Sequence, residues 1–282
     1  MTASIVGVDV GGTTTRAVGF DGDLVAVGAV AAPTPRGVTA IVAQVTRLVG
    51  DIHGAPTAVA VGMPGRVDHA RGVVSSAVNL GIDGPIDIAS LLSDAVGAPV
   101  HLENDVNAAA LGAFANLGLS PAQSLAYVNV GTGIAAGFVL AGRLWRGSIG
   151  GAGEIGHVPM RSGEPACRCG QVGCAEAVGS GSAITVTDDA NRRHDVIAAT
   201  AWAVQLCVMT LDVDVVAVGG GMTRPTDAFG SDLINVLNAS EATSPMLADL
   251  GLARRVVLPP ADAALGSLGA VLAMRHDGVM SG

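Results

Sequence analysis

The chain has 282 residues, half of them apolar and 14% charged, with a formal net charge of −9. Such a length suits one large domain or two lobes sharing a hinge. The acidic balance argues against nucleic acid as the main partner, since phosphate-backbone binding needs clustered basic residues.

The apolar residues fall in short periodic runs, and none approaches the ~20 continuous positions of a membrane span. No partner membrane is expected. The first strand pattern starts at Ser4 without the basic and hydrophobic regions of a signal peptide, so a cytoplasmic location is expected. All fifteen Lys and Arg positions are arginine. Lacking lysine, the chain has neither a Walker-type phosphate loop nor Schiff-base chemistry. Any phosphate must be held by backbone N–H groups, hydroxyls and metal.

In chain order, Ile5 to Val10 reads as a strand ending in the turn Gly11, Gly12, Thr13, Thr14, Thr15. Arg16 to Phe20 resumes as a strand, and Asp21-Gly22-Asp23 turns into another from Leu24 to Val30. A helix is expected from Val38 to Val49, a strand from Thr57 to Val61, and a loop at Gly62 to Arg66. Residues 86 to 96 look helical, and Val100 to Leu102 forms a short strand. Glu103-Asn104-Asp105 follows, where that strand meets an alanine-rich helix from Val106 to Leu117.

A second strand–turn–strand runs from Ser124 to Val130, through Gly131, Thr132 and Gly133, and on from Ile134 to Leu140. Val213 to Val218 is a further strand, ending in Gly219, Gly220 and Gly221. A last helix spans about Ala264 to His276. The repeated strand, Gly/Thr turn and strand suggest duplicated lobes facing each other.

Glycine–hydroxyl turns offer backbone N–H groups that converge on an anion, although each alone is equally a bare tight hairpin. Two facing turns would grip a triphosphate. Asp9, at the mouth of the first, is suited to Mg2+ through water. Asp105, at a helix start where its charged form is favoured, is the candidate general base. Its alternative is an ordinary N-cap, a role Asn104 could fill instead.

His157, Cys167, Cys169 and Cys174 supply one imidazole and three thiols, enough to close a tetrahedral zinc site with no open position. Such a metal is structural. Buried or disulfide-bonded cysteines are the alternative, weakened by the short Cys-x-Cys step and an expected reducing compartment. Glu154 and Glu176 bracket the cluster and are suited to a polar ligand pocket.

Together, Asp9-Val10-Gly11-Gly12-Thr13, Glu103-Asn104-Asp105-Val106-Asn107-Ala108, Gly131-Thr132-Gly133, Glu154-Ile155-Gly156-His157, the Cys-x-Cys-Gly-x-x-Gly-Cys-x-Glu run and Gly219-Gly220-Gly221 resemble the ROK family of repressors, ORFs and sugar kinases. The resemblance covers almost the whole chain. It implies an α/β, actin-like ATPase (ribonuclease H-like) fold, with two lobes around a central cleft closing on a hexose and Mg-ATP. The lobes would be residues 1–106, with 264–282 packing back on them, and residues 107–263 with the zinc loop.

By that resemblance Asp105 is the catalytic base, and Gly65, Asn79, Asn104, Glu154, His157 and Glu176 contact the sugar. Asp9, Gly11, Gly12, Thr13 and Thr14 would form one phosphate loop and Gly131, Thr132 and Gly133 the other, with Gly219 to Gly221 near the adenosine. His157 would both bind Zn2+ and face the sugar. A homodimer is also implied. Two departures stand out: the chain reads as shorter between Ser182 and Ala198, and Asn79 lacks the preceding proline of many family glucokinases, leaving a surface turn as its alternative.

The expected activity is ATP-dependent phosphorylation of a hexose 6-hydroxyl, glucose first, with an N-acetylhexosamine such as N-acetylmannosamine as alternative. A sugar-responsive regulator would need a DNA-binding element ahead of the first strand, where Ser4 leaves no room. A sugar-binding protein without catalysis is opposed by Asp9, Asp105 and both turns.

Overall fold

The computed structural model describes residues 4–183, 189–223, 228–260 and 263–278. They form two compact units. The first comprises residues 1–118, 146–151 and 264–282; the second comprises 119–145 and 152–263. This division keeps the whole helix that follows Asn104 with the N-terminal sheet, whereas the sequence reading ended that lobe at 106.

The first unit is built on strands β1 (Ile5–Val10), β2 (Thr14–Phe20), β3 (Ala26–Pro33) and β4 (Ala58–Met63), followed after a small three-stranded sheet by β8 (Val100–Asn104). The small sheet contains β5 (Arg66–Asp68), β6 (Val73–Ser75) and β7 (Ile86–Asp87). The main sheet has the order β3-β2-β1-β4-β8. Its first three strands form an antiparallel meander, while β1, β4 and β8 run parallel. Buried parallel strands are apolar on both faces, and β4 is buried throughout while edge strand β3 is largely exposed.

Strand β1 shows how period-two alternation builds this unit. Val6, Val8 and Val10 pack with Ile41, Val45 and Leu48 of α1 (Val38–Ile52) and with Ile88 and Leu92 of α2 (Ile88–Val96). On the opposite face Ile5 packs with Ala270, Val271 and Met274 of α9 (Leu265–His276) and Ala108 of α3 (Asp105–Asn116). Helices α3 and α9 meet through small residues. A Cβ on Gly112 would collide with the carbonyl of Leu265, and one on Gly269 with that of Ala108. Only glycine lets these backbones approach so closely.

The second unit repeats the plan. Strands β9 (Leu125–Val130), β10 (Ile134–Leu140), β11 (Arg143–Trp145), β12 (Val215–Gly219) and β13 (Val256–Val257) take the order β11-β10-β9-β12-β13. Strands β9, β10 and β11 are antiparallel neighbours, and β9, β12 and β13 are parallel. The duplicated strand–turn–strand thus sits at equivalent places in two equivalent sheets.

Helices α4 (Ala175–Gly179), α5 (Asp189–Leu211), α6 (Ala228–Thr243), α7 (Pro245–Leu250) and α8 (Leu252–Arg255) complete this unit. Within α5, Arg192–Leu211 is long and apolar enough to cross a membrane by composition, but half of that window is buried. Val204 and Val208 pack with Val128 and Val216 of the sheet, as in a core helix. Of the stretch from Ser182 to Ala198, which the sequence reading took as shortened, residues 184–188 lie outside the described residues.

Candidate functional site

The parallel register aligns Asp9 of β1 with Gly62 of β4, and Gly62 with Glu103 of β8. Neighbouring strands lie ~4.8 Å apart, which sets Asp9 and Glu103 roughly 10 Å from each other. The Gly11–Thr14 turn, the Gly65 loop and the Asn104–Asp105 turn therefore leave the same edge of one sheet, at the carboxyl ends of its parallel strands. Open α/β sheets bind ligands at that edge.

Asn104 is the N-cap of α3, its Oδ1 accepting from the N–H groups of Val106 (3.0 Å) and Asn107 (3.1 Å). Its Nδ2 donates to the carbonyl of Gly65 at 3.1 Å. Asp105 is thereby relieved of the capping role and opens the helix as its first residue, half-buried. Gly62 lies close beneath it, where a Cβ would be in van der Waals contact with the Cα of Asp105 at 3.4 Å. Gly65 needs its glycine: its φ is 94°, and a Cβ would meet the carbonyl of Ser75 at 2.7 Å. Asn79 is exposed in a single helical turn at Val78–Leu80, whose carbonyls accept from Arg36, at 2.6 Å for Asn79.

Gly12, Thr13 and Thr14 are exposed, and Gly11 closes the turn by donating to the carbonyl of Thr14 at 3.0 Å. Thr34 had no role in the sequence reading, yet it holds this loop in shape. Its Oγ1 donates to the carbonyl of Gly11 (2.7 Å), its N–H donates to that of Thr13 (3.0 Å), and its hydroxyl meets that of buried Thr15 (2.9 Å). Burial pushes the Asp9 carboxyl up to about 6, with Arg16, its partner across β2, pulling the other way. A desolvated carboxylate of this kind gains from a divalent cation beside it, so Asp9 fits Mg2+.

In the second unit the Gly131–Gly133 turn leaves β9 beside the glycine turn that follows β12, since Asn129 is in register with Gly219. The carbonyls of Gly131 and Thr132 accept from the N–H groups of Gly181 (2.7 Å) and Ser182 (3.0 Å). Gly220 has a φ of 107°, with no room for a Cβ beside the carbonyl of Val130. Gly221 is exposed. Glu176, near the start of α4, accepts from the N–H of Ile134 at 3.1 Å, and its carboxylate fills the space a side chain at Gly133 would need. Glu176 is thereby tied to the second turn, a contact the spacing did not announce.

The donor atoms of His157, Cys167, Cys169 and Cys174 all lie within 4.8 Å of one another. Cys167 Sγ is 3.5 Å from His157 Nδ1, and Cys169 Sγ is 3.7 Å from Cys174 Sγ. Tetrahedral zinc with bonds of ~2.3 Å to sulfur and ~2.05 Å to nitrogen requires separations of about 3.6 and 3.8 Å. The residues fit the ion. Burial pushes the Cys174 thiol up to about 12, whereas the Gln171 N–H holds Cys169 down to about 7. Zinc would displace the remaining protons and take all three as thiolates.

With Nδ1 turned to the sulfurs, His157 Nε2 lies 3.8 Å from Glu154, which is exposed. The metal would thus fix the imidazole so that its second nitrogen and Glu154 present a polar pair to solvent.

The sequence profile of the ROK family matches residues 5–245. N-acetylmannosamine kinase of Vibrio cholerae is 28% identical over 242 residues, covering 76% of this chain and 83% of that protein. A ROK hexokinase structure from Thermus thermophilus superposes with a TM-score of 0.75 at 29% identity, over 98% of this chain and 99% of the other. A ROK family glucokinase from Streptomyces griseus, solved with glucose and AMPPNP, gives a TM-score of 0.79 at 23% identity, over 96% and 99%.

Proposed function

Because the chain belongs to the ROK family, whose sugar kinases share its α/β actin-like architecture, we propose that it is an ATP-dependent hexose kinase. It transfers the γ-phosphoryl group of ATP to the 6-hydroxyl of a hexose, with glucose the first substrate to test. The observation that carries this reading is the position of Asp105. It starts a helix, spared from capping by Asn104, at the sheet edge that also bears Asp9 and the Gly11–Thr14 turn.

In this reading Asp105 accepts the proton of the sugar hydroxyl as its oxygen forms a bond to the γ-phosphorus. The bond from that phosphorus to the bridging oxygen breaks, and ADP leaves. The transition state is loose, so the carboxylate acts chiefly by orienting the hydroxyl. The N–H groups of the two Gly/Thr turns not already bonded within them take the phosphate charge that a lysine takes elsewhere. Mg2+, held through Asp9, would neutralise charge between the phosphates. Asn104, Gly65, Asn79, Glu154, His157 and Glu176 form the sugar contacts, with zinc restraining His157. Gly219 to Gly221 lie toward the adenosine. A cytoplasmic homodimer belongs to the same reading.

The Vibrio cholerae relative favours one alternative substrate class, the N-acetylhexosamines. A panel of hexoses and N-acetylhexosamines in a coupled ADP-release assay separates the two. Turnover of glucose is the expected result. Turnover confined to N-acetylmannosamine moves the assignment to the alternative, and none with any sugar overturns both.

A further inference from the structure

Glu103, the residue before the Asn104–Asp105 pair, is a carboxylate only 2% exposed. Its Oε1 accepts from the N–H of Asn104 (2.9 Å) and from Asn107 Nδ2 (3.1 Å). Its Oε2 accepts from Arg146 Nε at 2.7 Å. Arg146 is itself largely buried, and its Nη2 donates to Asp277, just past α9, at 2.8 Å. His101 Nε2 stands 3.4 Å from the same Asp277 oxygen.

His101, Glu103 and Asp277 have the spacing of a metal site. The guanidinium already joins both carboxylates, however, and supplies the positive charge a metal would bring. Burial pushes the His101 imidazole below its ordinary value, so it adds no second cation.

The arrangement has a direction. Arg146 neutralises Glu103, and Glu103 holds the Asn104 main chain and the Asn107 side chain from behind the sheet edge. Asn104 is the N-cap that sets where α3 starts, and Asn107 is one of the two residues whose N–H groups it accepts, the other being Val106. Arg146 also opens the stretch 146–151, pinned again where Arg66 donates to the carbonyl of Ile149 (3.3 Å). That stretch leads along the chain to Glu154 and His157.

We propose that Arg146 is a positioning residue for the phosphoryl-transfer step, acting through the buried carboxylate of Glu103 to hold Asp105 at its working position. This inference rests on the kinase reading above. A buried carboxylate stripped of its cation must draw in water, shift or take up a proton. Any of these moves the Asn104 main chain, and small displacements of a reacting group are costly in rate.

The test compares Arg146→Met, Arg146→Lys, Glu103→Gln and the Arg146→Met/Glu103→Gln double variant in the coupled assay, with thermal unfolding measured in parallel. Arg146→Met should lower kcat by about tenfold to hundredfold, with the KM for sugar and for ATP within about twofold of the parent. Arg146→Lys, which keeps the charge, should recover part of the loss. The double variant should be no slower than the slower single one, because the two residues act as one unit.

An unchanged kcat in Arg146→Met, measured well below its unfolding temperature, overturns the inference. So does a loss that only follows the unfolded fraction, or additive losses in the double variant. Absence of turnover by the unaltered protein overturns the kinase reading and this inference together. Turnover with indifference to Arg146 overturns this inference alone.

Discussion

The side-chain amide of Asn104 donates to the main-chain carbonyl of Gly65 across 3.1 Å, tying the start of α3 to the loop that leaves β4. One side chain thus has two duties, since its oxygen also caps the helix. Asn104→Ala should cost about 1 kcal/mol of stability through the lost cap and weaken sugar binding through the released loop. Asn104→Ser should restore the stability without the affinity. Thermal unfolding and calorimetry with glucose read the two effects separately, and equal affinity in the serine variant and the parent would remove Asn104 from sugar recognition.

Asp105→Asn keeps the size and the helix position of the residue while removing its ability to take a proton. A loss of roughly 10² to 10⁴-fold in kcat is expected for a general base, with glucose binding preserved by calorimetry. Retention of most of the activity would reassign the base.

One zinc per chain is expected by elemental analysis. Cys169→Ser should lose the metal and weaken sugar affinity, because binding of such an ion contributes directly to folding free energy. Cys207→Ser should keep it, since that thiol is buried in the core of the second unit, among Val204 and Val208. Dialysis against a strong chelator should reproduce the Cys169 phenotype, with recovery on adding zinc.

Asp9 gives a pH prediction with a definite sign. Its carboxyl is raised from 3.8 to about 6 by burial, so it takes up a proton as the pH falls through 6. Mg-ATP affinity should therefore drop between pH 7 and pH 5, while Asp9→Asn should be weak and nearly flat across that range. The folded state binds the proton more tightly than the unfolded chain. The stability this contributes is full below pH ~4 and is lost as the pH rises through ~6. Asp9→Asn should consequently be more thermally stable than the parent at pH 7, measured without nucleotide. A lower unfolding temperature would contradict the desolvation account.

What could be read from the chain was local. The Gly/Thr turns stand between apolar runs of period two, and they emerge in the folded units where that pattern ends. His157, Cys167, Cys169 and Cys174 are close in sequence, and their donor atoms converge as their spacing suggested. The choice between Asn104 and Asp105 as N-cap was open because both residue types cap helices well; the structure gives the cap to Asn104.

Other features depended on partners distant in the chain. Glu103 and Arg146 are 43 residues apart, and nothing periodic announces their pairing. Thr34 looks like any turn residue until its hydroxyl is seen against Gly11. The small β5-β6-β7 sheet and β13 consist of two- and three-residue strands, too short for alternation to register.

The glycine-lined seat of α9 has a consequence for biosynthesis. Ser267 donates to the main-chain carbonyl of Arg16 across a separation of 251 residues, and a Cβ on Gly7 would collide with the carbonyl of Ser267. During synthesis α3 can cover part of this face early, but the seat of α9 on β1 stays unfilled until nearly all of this sequence has emerged. An apolar seat left open over that interval is surface of the kind that aggregates and that chaperones cover.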